Sequence, residues 1–240
     1  MKANMCKLLV AALIGGLMAG CATHAPAPDY QALVASADRS EADRTNDLRR
    51  KPAQFLAFMD VRPGMRVADL SAGGGYTTEL LARAVGETGK VYAHNTPKPR
   101  LEERLKNPLM KNVVELVRPF DDPLSPEARN LDLVTFNFNY HDTTYMEVDR
   151  AKMNRAIFDA LKPGGHYIVA DHSALPGAGI GVGKTLHRIE ETLVRREVEA
   201  AGFRWVAEGG FLRNPADPRT APVFKPIQPN DEFVLKFVKP

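Results

Sequence analysis

Apolar residues recur along this chain at two spacings, and the way those spacings alternate predicts the fold class. Ser40 with Asp43 three residues on offers a helix start, and the charged run to Lys51 reads as a solvated helix. Pro52 suits the first turn of a second helix that carries Phe55, Leu56, Phe58 and Met59 on one side. "RPGM" turns the chain into a strand, Met65 to Leu70, and a helix from Tyr76 to Val85 follows, closed by Gly86. "GKVYAHN" reads as a second strand, "RLEERLKN" as a short helix and "NVVELV" as a third strand. "LDLVTFNFN" is apolar on both faces, as a central parallel strand should be. Next come the helix "DRAKMNRAIFDAL", a "KPGG" turn and a fifth strand, "HYIVAD". A Gly-rich insertion precedes one continuous helix, "TLHRIEETLVRREVEAA". The last two strands, "FRWVAEG" and "EFVLKFVK", have no helix between them long enough to cross over, so antiparallel pairing is expected.

Strands that alternate with helices predict an α/β fold, Rossmann-like and doubly wound. The expected sheet is mostly parallel and seven-stranded, with an antiparallel last strand. The first twenty residues do not belong to it. A lysine-bearing start, an apolar run from Leu8 to Ala19 and small residues before Cys21 have the layout of a secretory signal, too short to span a bilayer comfortably. Met18-Ala19-Gly20-Cys21 resembles the lipobox of bacterial lipoproteins, whose cysteine is lipidated; a plain signal peptide cut near Ala19 is the alternative. Residues 21–39 then read as a lipidated end and an Ala/Pro-rich tether, with one domain over 40–240. On this reading the protein sits in the cell envelope, membrane-anchored through Cys21 and facing the periplasm. Of the two cysteines, Cys6 lies in the signal, which argues against a disulfide, cysteine catalysis or a thiolate metal site in the mature chain. A net charge of +3 with scattered basic residues argues against nucleic acid. Arg49-Arg50-Lys51 and Arg195-Arg196 read as solvated helix faces.

A glycine turn between a first strand and a first helix lets a ligand approach the backbone, close to free helix amides. Here the turn is Asp69-Leu70-Ser71-Ala72-Gly73-Gly74-Gly75, followed by a helix that opens with Thr-Thr-Glu. A dinucleotide fingerprint would need glycine where Thr78 stands. Acid-x-Gly-x-Gly-x-Gly, with Ser71 in the first glycine place, resembles the class I S-adenosylmethionine-dependent methyltransferases, as do "LKPGGHYIVAD" and the closing antiparallel strands. The resemblance spans Pro52 to Lys239. It implies S-adenosylmethionine as cofactor, held by Asp69, Ser71, Gly73, Gly74, Gly75, Asn95 and Asp121. Asn95 stands where the family places a ribose-binding acid, and an amide accepts fewer such bonds. Asp121 stands where the family often has an acid facing the adenine amino group; Asp122 is the neighbouring alternative, and a plain loop acid is the other reading.

Polar residues gather where such sheets carry function, at the strand ends. Strand four ends with Asn137, Asn139, Tyr140, His141 and Asp142; strand five ends with Asp171 and His172; His187, Arg188 and Glu190 follow. In one reading His141 or His172 is a general base beside Asp171, facing a small-molecule acceptor. In another, His141, Asp142, Asp171 and His172 hold a divalent metal, as in catechol-type O-methyltransferases, which this arrangement resembles. "GAGIGVGKT" misses a phosphate-binding loop, because Ala178 takes the first glycine place. The expected function is methyl transfer to a small molecule; the alternative is a non-catalytic envelope binding module that keeps the fold.

Overall fold

The computed structural model describes residues 25–224 and 229–240, so the expected signal and Cys21 lie outside the described residues. The helices are α1 (Tyr30–Val34), α2 (Glu41–Arg50), α3 (Pro52–Met59), α4 (Tyr76–Val85), α5 (Arg150–Ala160), α6 (Gly183–Leu186) and α7 (Glu191–Ala200). The strands are β1 (Arg66–Leu70), β2 (Lys90–Asn95), β3 (Val113–Val117), β4 (Leu131–Asn137), β5 (Leu161–His172), β6 (Arg204–Glu208) and β7 (Glu232–Val238). Local chemistry starts the helices where the sequence predicts. Ser40 Oγ accepts from the Asp43 amide, and Glu41 and Asp43 at one end of α2 and Arg49 and Arg50 at the other complement its dipole. No helix among the described residues is long and apolar enough to cross a membrane.

The seven strands form one sheet in the order β3-β2-β1-β4-β5-β7-β6. β1 to β5 are parallel neighbours, and β7 runs antiparallel between β5 and β6. Successive strand residues face opposite sides, so each strand feeds two cores. Ala68, Val134 and Tyr167 pack with Met153, Ile157, Val194 and Val198 of α5 and α7. Val67, Leu133 and Ile168 pack with Leu56 and Leu81 of α3 and α4.

Three segments differ from expectation. "KPGG" is part of β5 rather than a free turn, because Gly164 and Gly165 exchange backbone hydrogen bonds with Lys239 while the β4–β5 register shifts between Leu131 and Leu133. "RLEERLKN" forms only a 3-10 turn at Arg104–Lys106, with a second at Pro108–Met110. The expected long helix breaks after α6. His187 turns left-handed at φ 53°, Ile189 bridges to Ser173, and the side chain of Arg188 turns inward. The tether, too, is docked from Asp29 onward: Tyr30 donates to the Val61 carbonyl at 2.8 Å, and Leu33 and Val34 pack on the α3–α4 core.

Candidate functional site

A cavity of about 300 Å³ opens where β1 gives way to the glycine turn, within the size range of small-ligand sites. Asp69, Ser71, Gly73 and Gly74 line it from the turn, Asn137 and Asn139 from the end of β4, and Arg50 from α2. The turn bends through left-handed backbone at Ser71, Gly73 and Gly75 (φ 54°, 57° and 83°). That conformation suits glycine and costs serine roughly 1–2 kcal/mol. Its amides are tied to β2: Ala72 N–H donates to the His94 carbonyl at 2.8 Å, and Gly73 N–H to Asn95 Oδ1 at 2.9 Å. Burial lowers the His94 pKa to about 4, so the ring is neutral at physiological pH. With Nε2–H directed at the Arg118 carbonyl (2.9 Å), Nδ1 is free to accept from the Ser71 amide.

The cavity brings an acid and a cation together. Burial raises Asp69 from 3.8 to about 7, against the hydrogen bond from Thr78 Oγ1 (2.6 Å) and the charge of Arg50. Burial and the neighbouring Arg49 lower Arg50 to about 10, which still leaves it cationic. Its guanidinium stacks over Phe138 and Tyr76, 4.5 and 5.4 Å from the ring centroids, and makes no ion pair among the described residues. Of the basic run expected on a solvated face, Arg50 therefore faces the site, while Arg49 reaches buried Glu232 at 2.5 Å. Arg104 closes the other side, donating to the Gly74 carbonyl and pairing with Asp43 and Glu79.

Behind Asn139 lies the histidine cluster. Asp171, fully buried, accepts from the His141 amide at 2.8 Å and the His172 amide at 2.7 Å, and contacts His141 Nδ1 at 2.7 Å. His141 Nε2 points at His187 Nδ1 (3.3 Å) and Asp142 Oδ1 (3.2 Å). Asn139 Nδ2, on the cavity side, donates to Asp142 Oδ2 at 2.6 Å. Burial opposes charge on His141, yet Asp171 and Asp142 outweigh it and raise its pKa from 6.5 to about 10. An imidazole already protonated at neutral pH is a poor base. His172 Nδ1 is buried without a hydrogen-bond partner among the described residues; Glu232 Oε1 lies 3.1 Å away but off the bonding direction.

With this geometry in place, comparison with known proteins settles the family. The ubiE/COQ5 methyltransferase family matches residues 46–180, more than half of the chain. The chain belongs to that family. It is similar to the ubiquinone/menaquinone biosynthesis C-methyltransferases UbiE of Cronobacter sakazakii and Escherichia coli, with 34% identity over 116 residues. Those matches cover 47% of this chain and 45% of the relatives, so the chain spans about half the length of the curated relatives it matches. A SAM-dependent methyltransferase from Aquifex aeolicus shares the fold at TM-score 0.60 and 18% identity, over 84% of this chain and all of that one (100%). An arsenic(III) S-adenosylmethionine methyltransferase from Chlamydomonas reinhardtii does so at 0.57 and 18%, over 90% of this chain and 74% of its own.

Within this family member, the expected site residues divide into three groups. Asp69, Ser71, Gly73 and Gly74 line the cavity, while Gly75 caps α4 beneath Leu101 and Arg104, where a Cβ would come within 2.7 and 2.8 Å. Asn95 and Asp121 lie elsewhere. Both polar atoms of the Asn95 amide are engaged, Oδ1 by Gly73 N–H and Nδ2 by Gly73 O and Glu115, so it braces the turn instead of facing a ribose. Asp121 pairs with Lys152 at 3.0 Å, outside the cavity lining. His141, Asp171 and His172 come together, though none lines the cavity. Arg50 and Arg104 were not foreseen as site residues, since a basic residue on a polar helix gives no sign of which way its face turns.

Proposed function

We propose that this protein binds S-adenosylmethionine over the glycine turn and transfers its methyl group to a small-molecule acceptor. The observation that carries the reading is the presence of Arg50 and Asp69 in one cavity beside the open backbone of Gly73 and Gly74. A zwitterionic amino-acid end, carboxylate toward the guanidinium and ammonium toward the carboxylate, is what such a pair recognises. The family membership and the methyltransferase neighbours agree with it. On the acceptor side His172, packed on Phe138 at a centroid distance of 5.3 Å, is the candidate base, since His141 is held protonated by Asp171 and Asp142. The expected envelope anchor at Cys21 belongs to the same proposal; Cys21→Ser should move the protein from the membrane to the soluble envelope fraction.

Titration calorimetry with S-adenosylmethionine and its demethylated product tests the binding. A Cβ on Gly74, whose backbone is not left-handed, meets nothing within 4 Å, so Gly74→Val projects into open space where the ligand must approach. Binding should be lost while circular dichroism stays native. Arg50→Met should weaken binding by about 10-fold or more, as expected when a charge-assisted hydrogen bond of ~1.5–3 kcal/mol is removed. No heat at millimolar ligand, or a Gly74→Val variant that binds like wild type, overturns the proposal. Binding without demethylated product from any acceptor tried would favour the non-catalytic module.

A further inference from the structure

We infer that His141, Asp142 and His187 form a binding site for a single divalent transition-metal ion of the zinc class, with Asp171 as its positioning residue. The three donor atoms make a closed triangle. His141 Nε2 is 3.3 Å from His187 Nδ1 and 3.2 Å from Asp142 Oδ1, and the last two are 3.6 Å apart. Nitrogen and oxygen donors ~2.0–2.2 Å from a tetrahedral zinc ion lie ~3.3–3.6 Å from one another. Two imidazoles and one carboxylate form a donor set that suits zinc, and three protein ligands leave a fourth position for water or a substrate heteroatom.

The surroundings aim each donor. Asp171 takes His141 Nδ1–H at 2.7 Å, so the proton that a metal ion displaces from His141 is the one on Nε2, the nitrogen that faces the other two donors. Asn139 and Tyr145 both donate to Asp142 and fix its carboxylate. His187 is held in left-handed backbone, φ 53°, at the break between α6 and α7. That strained conformation persists because its neighbour Arg188, 1% exposed, is anchored to Asp217 at 2.8 Å and to the Ser173 carbonyl at 3.0 Å. Asp142 and Asp171 place two carboxylates around His141, and a divalent ion would take the place of the imidazole proton between them. This grouping differs from one built on the strand ends alone. Asp171 backs His141 from behind and His172 points toward Glu232, while His187 arrives from the helix break. Asn139 also lines the large cavity, so the ion would adjoin the ligand site.

The test needs no methyl donor and does not depend on methyl transfer. The purified full chain, stripped with chelator, is titrated with Zn²⁺ against a chromophoric competitor, and separately with Co²⁺ by visible absorption. One ion per chain with sub-micromolar affinity is expected, and the intense Co²⁺ bands of a tetrahedral site. His187→Ala, at a partly exposed position, and Asp142→Asn should each lower Zn²⁺ affinity at least ~100-fold, on the scale of losing a direct ligand. Asp171→Asn should lower it ~10–100-fold and shift the Co²⁺ spectrum, as loss of an outer partner does. His172→Ala should leave the metal titration unchanged. Circular dichroism establishes that each variant is folded, and His141→Ala, buried against Asp171, is set aside for that reason. Absence of Zn²⁺ binding overturns the inference. So does binding that His187→Ala leaves intact, since the ion then sits elsewhere.

Discussion

Replacing Asp69 by asparagine should flatten the pH dependence of stability in the ligand-free protein. Asp69 is buried, and its folded pKa, about 7, lies above its ordinary 3.8. The fold therefore prefers the neutral acid, so stability from this group is complete below about 3.8 and is lost as pH rises through about 7. At about 1.4 kcal/mol per pH unit, the gap bounds the loss at ~4 kcal/mol. Asparagine keeps an oxygen to accept from Thr78 Oγ1, 2.6 Å away in the native protein, and carries no titrating proton. Urea unfolding of both proteins from pH 4.5 to 8.5 gives the comparison directly, because all other titrating groups cancel in the difference. Wild type minus variant should fall by ~2–4 kcal/mol toward pH 8 and level off there. Curves parallel to within about 0.5 kcal/mol, the size of an ordinary surface change, would refute the assignment of Asp69 as a buried, proton-holding acid. A ligand that places an ammonium on Asp69 converts the unfavourable carboxylate into a partner, so ligand should stabilise wild type more than the variant above pH 7.

The Tyr167 hydroxyl is fully buried with no hydrogen-bond partner among the described residues. Tyr167→Phe should raise stability by ~1 kcal/mol, and a loss beyond about 0.5 kcal/mol in urea unfolding would show that a bond is being missed. Arg188→Ala should cost ~3–5 kcal/mol by stranding buried Asp217, read as a lowered unfolding midpoint; a change under about 1 kcal/mol would contradict the anchoring role.

Periodicity carried most of the fold. The strands, their order of appearance and the helix from Tyr76 to Val85 are local properties of apolar spacing and caps, and they stand in the structure as read. Failures occur where a distant contact outweighs local preference. "TLHRIEETLVRREVEAA" has helical spacing throughout, but Arg188 gains a buried carboxylate and Ile189 gains a strand partner, and both require the helix to break. "KPGG" reads as a turn because its pairing partner, Lys239, is 75 residues beyond Gly164. At the site, the glycine turn was legible because its backbone demands are local. Arg50 was not, because which way its side chain faces depends on how α2 packs, and the bracing contacts of Asn95 were not, because an amide that braces the turn is indistinguishable in sequence from one that faces a ligand.

The position of β7 governs the order in which the sheet can be completed. Among the described residues β6 pairs with β7 and with no other strand, and β7 also supplies the outer partner of β5. As the chain emerges from a ribosome or a translocation pore, β1 to β5 can assemble, but β5 keeps a bare edge and β6 has nothing to pair with until residues 232–238 arrive. For that interval Tyr167 and Val169 in β5 belong to an unfinished edge strand, the kind of surface that invites pairing with another chain. Completion of the sheet is thus a late, long-range event, and a nascent chain stalled short of Glu232 would present to chaperones an intermediate with five of its seven strands assembled and the β5 edge open.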